Sequence, residues 1–201
     1  MVGGVPVWIR VRRALRFAGS IRSRALDVTP DRPRPEVHAA GVAEALDDDG
    51  EVSALLGEIE SDRRIATVRS IDYLRWRYEH APGLDYRTVC EGVAGRIRGI
   101  AIFRVRPRGR LWEATISELI ASPDEPGVAR RLMRRVVRSA AVDHLTCSFP
   151  PGSAALRTAR RLGFIRSPQT MTFVVNPLRD VHPDATRLES WALSLGDLEV
   201  F

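Results

Sequence analysis

The sequence predicts an α/β domain of the mixed, α+β kind, built on a mostly antiparallel sheet of about six strands. Three observations carry this. Tyr86–Glu91, Arg96–Arg106 and Leu111–Ala121 are consecutive strand-like runs joined by short glycine-bearing turns, as successive antiparallel strands are. Gly127–Ala141 follows directly as a helix, with Val128, Leu132, Val136 and Ala140 four apart, Ala129, Met133 and Val137 beside them, and five arginines opposite. Beyond it, strand and helix alternate over Val142–Phe149, Ala154–Leu162 and Gln169–Asn176.

Taken in order, Val5, Val7, Ile9 and Val11 alternate as one side of a strand, and Pro6 assigns it to an edge or a strand start. Arg12–Ser23 continues as a basic, mildly amphipathic piece, either an arm for an anionic surface or nucleic acid, or a linker leaving a preceding unit. Thr29–Gly50 holds Pro30, Pro33, Pro35 and Asp47-Asp48-Asp49-Gly50 and reads as a linker ending in a helix-start signal. Helices follow over Glu51–Asp62 and Ser70–His80, the second capped by Ser70 with Asp72 in its first turn. The domains expected are therefore a basic arm or remnant strand over 1–24, a Pro/Asp-rich linker over 25–50 and one globular unit over 51–201. Ser122-Pro123-Asp124-Glu125-Pro126 leads into the central helix, Gly163 closes the short one in the αL conformation, and Trp191–Asp197 docks back on the body.

All 31 basic residues are arginine, six of them within the first 24 residues, which leaves 25 arginines against 25 acids elsewhere. The body is neutral, so binding to nucleic acid or an anionic surface is expected only through the arm, if at all. No apolar run approaches the roughly 20 residues of a membrane span. Cys90 and Cys147 fall inside strands and read as reduced thiols, which sets a cytoplasmic expectation.

Candidate chemistry is sparse. The cluster Tyr73-Leu74-Arg75-Trp76-Arg77-Tyr78 suits stacking on a ligand ring, with Trp76, Arg77 and Tyr78 as candidate substrate-binding residues. The alternative is aromatics that seal a helix onto the sheet while the arginines stay wet. His38, His80, His144 and His182 are scattered, and His144 with Cys147 lacks further ligands, so no metal is expected. Glu113 and Glu118 are the acids of the third strand. Glu118 is read on the side of Ile116 and Ile120, where burial raises a carboxyl pKa.

The order of two helices, three strands, helix, strand, helix, strand, with Arg161-Leu162-Gly163-Phe164 after the short helix, resembles the GCN5-related N-acetyltransferases over about residues 51–176. The Tyr73–Tyr78 cluster, Pro82, Tyr86 and the Trp191…Gly196-Asp197 ending resemble the C-terminal half of a subgroup built from two such units in tandem, with Gly3–Arg12 similar to the last strand of a preceding unit. The resemblance implies helices on both sheet faces, acetyl-CoA or another acyl-CoA as cofactor, and acyl transfer to an amine acceptor. It implies a second such unit or another copy of the chain as partner. It places Gly127, Val128, Ala129 and Arg130 at the loop whose backbone amides hold the CoA diphosphate, and makes Glu118 the candidate general base.

Five positions depart from the family pattern. Asp124, Glu125 and Pro126 occupy the start of the diphosphate loop, where carboxylates about 4–8 Å from a diphosphate repel it by roughly 1–4 kcal/mol per pair. Pro126 also removes one amide donor. Gly152 and Ala159 stand where members often carry Asn and the Tyr that protonates the leaving thiolate. The alternative function is a non-catalytic half of this fold that supports a partner domain or lines an acceptor site.

Overall fold

A computed structural model describes residues 3–22, 29–59, 64–93, 95–125 and 127–198. The chain forms β1 (Gly3–Val11), α1 (Ala14–Arg22), β2 (Ala40–Gly41), α2 (Val42–Ala45), α3 (Asp49–Ile59) and α4 (Ile71–Leu74), the last continuing as a π-helical turn, Arg75–Glu79. Then come β3 (Tyr86–Val93), β4 (Arg96–Arg108), β5 (Leu111–Ala121), α5 (Val128–Ser139), β6 (His144–Cys147), α6 (Ala154–Arg161), β7 (Ile165–Phe173) and α7 (Leu195–Leu198).

The strands make one seven-stranded sheet in the order β2-β3-β4-β5-β6-β1-β7, antiparallel throughout except for the parallel β5–β6 pair. Helices cover both faces. α5 and α6 bury Val128, Leu132, Met133, Val136 and Leu156 against Ala101, Phe103, Ala114 and Ile116 on one side. On the other, Val52, Leu55, Leu74 and Tyr78 pack on Ile100, Ile102 and Ile120. Alternate residues of β4 thus feed two cores, which is why its run 100–103 is continuously apolar.

Two expectations change. β1 is not an edge strand: it lies between β6 and β7 and pairs with both. The proline is tolerated because β6 reaches β1 only from Trp8 onward, and the ladder to β7 shifts between Pro6 and Trp8, so the missing N–H falls at an irregularity. The residues that follow dock as well. Arg12 donates to the carbonyls of Val137 and Ala140, and Arg13 and Arg16 pair with Asp143.

The second change concerns Glu118. Ile102 pairs with Glu118 and Phe103 with Ile116, which leaves Ser117 as a β-bulge. The extra residue resets the alternation, so Ile116 joins the α5 core while Glu118 and Ile120 face the opposite side. The two isoleucines lie on different faces, and Glu118 shares a side only with Ile120.

Elsewhere the boundaries move by a few residues. β7 begins at Ile165 rather than Gln169, β6 is confined to His144–Cys147, and α3 starts at Asp49 with Asp48 accepting from the Glu51 N–H. The linker stretch contributes β2 and α2. Among the described residues no helix is long and apolar enough to cross a membrane.

Candidate functional site

β5 and β6 run side by side only from Glu113↔His144 to Ile116↔Cys147. Beyond that β5 continues along β4 to Ala121, whereas the chain after Cys147 swings toward β1, where Ser148 Oγ donates to the Pro6 carbonyl at 3.0 Å. Their divergence opens a cleft of about 650 Å³. Its walls are largely apolar: Leu56 and Ile59 of α3, Ile71, Leu119, Ile120 and Phe149. Polar side chains in its lining are Glu118, Arg64, Arg69, Thr67, Ser53, Ser70, Ser153 and Ser194.

Glu118 is 2% exposed and accepts three hydrogen bonds: Tyr78 Oη at 2.8 Å and Ser194 Oγ at 3.1 Å on Oε1, and Arg69 Nε at 3.0 Å on Oε2. Arg69 also reaches Asp197 at 2.7 Å and the Thr67 carbonyl at 2.8 Å. One guanidinium therefore serves two buried carboxylates. Burial raises the Glu118 pKa, Arg69 opposes the rise, and Asp197 adds to it. Burial works against the Arg69 charge too, but Glu118 and Asp197 outweigh it and raise its pKa. Burial, then Glu118, drives the Tyr78 phenol far above its ordinary value, so it stays a donor.

The C-terminal turn closes this network. Asp197 makes one half of a capping box on α7, its Oδ2 accepting from the Ser194 N–H at 2.7 Å, while the Ser194 hydroxyl faces Glu118 and Asp197 at 3.1 Å each. Gly196 lies so close that a Cβ would meet Tyr78 Oη at 2.1 Å and Glu118 Oε1 at 2.8 Å. Only glycine fits there.

The aromatic-arginine cluster divides unexpectedly. Trp76 is 62% exposed, whereas Arg77 and Tyr78 are buried, Arg77 donating to the Gly196 carbonyl at 3.1 Å and stacking on the Tyr78 ring. The wider π-helical turn over Arg75–Glu79 carries both inward. None of the three lines the cleft.

At the mouth of α5, the side chains of Val128 and Ala129 point into the core and Arg130 is exposed. The Val128 N–H donates to the Glu125 carbonyl at 3.0 Å, so that amide is already occupied. The Glu125 carboxylate accepts from Arg98 at 3.2 Å, and Arg98 also binds Glu58 at 2.8 Å and Ser122 at 2.9 Å. Arg131 lies over the face of Gly127 but pairs with Glu91 at 3.0 Å. Each of these arginines is matched by a carboxylate, and Asp124 is exposed in addition. Pro126 lies outside the described residues. Among the described residues none of 122–125 or 127–130 lines the cleft. Carboxylates of Glu58 and Glu125 thus stand at this mouth, and the slot between the strands is largely apolar.

Of the remaining candidates, Gly152 takes a left-handed turn (φ +75°) before the α6 cap, where Ser153 accepts from the Leu156 N–H. Ala159 is fully buried in the α5–α6 core, with no room for a larger acid. Cys90 and Cys147 are free thiols, and burial pushes both above their ordinary pKa. Sequence reading missed Arg69, Ser194 and Asp197. The Ser194-Leu195-Gly196-Asp197 spacing is itself a capping-box signal and pointed to α7; nothing local marked Arg69.

No family model matches the chain, and no curated protein matches it. Among solved structures it is similar to a Novosphingobium aromaticivorans protein assigned to the GNAT acetyltransferases, with 19% identity over 83% of this chain and a TM-score of 0.40. The chain spans 61% of that structure's length. The likeness concerns the fold alone.

Proposed function

We propose that the chain is an acyltransferase-related domain of the GNAT fold that binds an acyl-bearing ligand between β5 and β6 without turning it over. The observation that carries this is the division of the cleft: an apolar slot of about 650 Å³ that ends before an α5 mouth ringed by Glu58, Glu125 and Asp124. An acyl chain gains burial in the slot, on the order of 0.8 kcal/mol per methylene, while a CoA diphosphate meets carboxylates and an amide already in use. Glu118 supports the same reading, because its three donors tie it to Arg69, Tyr78 and the C-terminal turn.

Calorimetry decides it. An octanoyl thioester of N-acetylcysteamine, which lacks the diphosphate, binds with saturation, and octanoyl-CoA binds more weakly. Tighter binding of octanoyl-CoA overturns the assignment. Exchanging Asp124 and Glu125 for Gln and Gly narrows the gap if charge is its cause.

A second reading, amine acylation with Glu118 as base, is favoured by its place in the cleft wall and its raised pKa. Release of free thiol from acetyl-CoA in the presence of an amine, lost in Glu118→Gln, would establish it. A second unit of this fold, or another copy of the chain, is the proposed partner, which sedimentation measures. A reducing compartment such as the cytoplasm suits the two free thiols.

A further inference from the structure

We propose that a second cavity, between the 32–38 segment and the C-terminal end of α5, binds a small phosphorylated ligand carrying at least two negative charges. It encloses about 360 Å³ and shares no lining residue with the β5–β6 cleft. Arg12, Arg32, Arg34 and Arg138 line it together with His38 and Trp112, and Glu36 is the one acid among its described lining residues.

The walls are pinned rather than draped. Val37 forms an antiparallel bridge with Ala140, and the His38 N–H donates to the Ser139 carbonyl at 2.8 Å. Trp112 Nε1 donates to the Arg32 carbonyl at 3.0 Å. Arg12 Nη1 donates to the carbonyls of Ala140 at 2.7 Å and Val137 at 3.0 Å. A helix C-terminus ordinarily repels anions. Here its terminal carbonyls are already bonded to a guanidinium and an amide, so that repulsion is spent inside the protein.

The charge left over is positive. Arg34 pairs with Asp85 at 2.7 Å, and Glu36 lies 3.7 Å from His38. Among the described residues no carboxylate pairs with Arg12, Arg32 or Arg138. Guanidinium groups crowded round one concavity repel each other until an anion joins them. Their planar forks match phosphate oxygens better than any neutral ligand. The volume sits at the small end of ligand pockets, about 300–1,000 Å³, which suits a nucleotide or a sugar phosphate rather than a polymer.

The test titrates the full chain with inorganic pyrophosphate at low salt, by calorimetry and by tryptophan fluorescence. One saturable site is expected. Arg32→Ala with Arg138→Ala weakens it by about tenfold or more, and Arg32→Gln with Arg138→Gln repeats the loss should the first pair fold poorly. Arg134→Ala, exposed on the same helix but outside the cavity, leaves affinity unchanged. Trp112→Phe abolishes the fluorescence change and keeps the heat. Three results overturn the proposal: no saturation by about 10 mM, an equal loss in Arg134→Ala, or a single-stranded oligonucleotide that displaces pyrophosphate and binds more tightly. The last would assign the patch to a nucleic acid.

Discussion

Glu113 and Glu118 stand five residues apart on β5, face the same side of the sheet, and are both almost fully buried, yet they titrate in opposite directions. Burial alone would raise both. Glu113 meets His144 Nε2 at 2.9 Å and accepts from Arg106 at 2.8 Å and from the Thr115 hydroxyl at 3.0 Å; burial raises its pKa, but the His144 hydrogen bond and the Arg106 charge outweigh it and hold it at about 2. Glu118 shares its one cation with Asp197, and burial wins. A buried carboxylate is tuned by the hydrogen bonds and charges that face it, and here a second carboxylate faces Glu118. The first arrangement anchors a strand, and the second clamps the C-terminal turn at the wall of a cleft.

The comparison breaks most sharply at Arg69. Arg69→Met leaves two buried carboxylates without a cation and should cost about 3–5 kcal/mol in urea unfolding, with residues after Trp191 becoming protease-sensitive. Equal stability would mean the shared cation is not what holds the turn. Glu113→Gln comes next, at about 2–3 kcal/mol near neutral pH. Its sign follows from the depressed pKa: the stability Glu113 contributes is present above its unfolded value of 4.5 and is lost as pH falls toward about 2. The parent should therefore lose stability steeply across that acid window, and the variant should lose less.

Gly196→Ala is expected to cost about 1–3 kcal/mol, because the new methyl collides with Tyr78 and Glu118. A normal melting temperature would place α7 away from β5. The smallest effect belongs to Glu118→Gln, within about 1 kcal/mol of the parent. With its folded pKa raised, Glu118 contributes stability that is present below its unfolded value and fades as pH rises, so removing its charge relieves burial while it loses part of the Arg69 bond. A penalty as large as that of Arg69→Met would show that the two carboxylates are equivalent after all.

Much of this was legible without coordinates. The Val128–Val136 spacing specifies α5 and the face it buries, Ser70 and Ser153 mark helix starts where they are found, and Leu111–Ala121 is a strand over its full predicted length. The site was less legible. Alternation along β5 assigns Glu118 to the side of Ile116, and one unpaired residue, Ser117, reverses that relation; no residue type at 117 announces a bulge. Arg69 lies 49 positions from Glu118, and Ser194 lies 76 positions away. Local pattern carries no information about which distant groups meet. The Trp76-Arg77-Tyr78 cluster misled for a related reason, since a π-helical turn rotates the arginine in and the tryptophan out.

Local sequence by itself determined most of the helices and strands, because propensity, capping and amphipathic period act over a few residues. Tertiary structure alone decided that β1 enters the sheet between β6 and β7, that β5 and β6 part to leave a cleft, and that one arginine is divided between Glu118 and Asp197. Those outcomes depend on contacts between segments far apart in the chain, where strand order and the count of charges per buried site are settled only when the sheet closes.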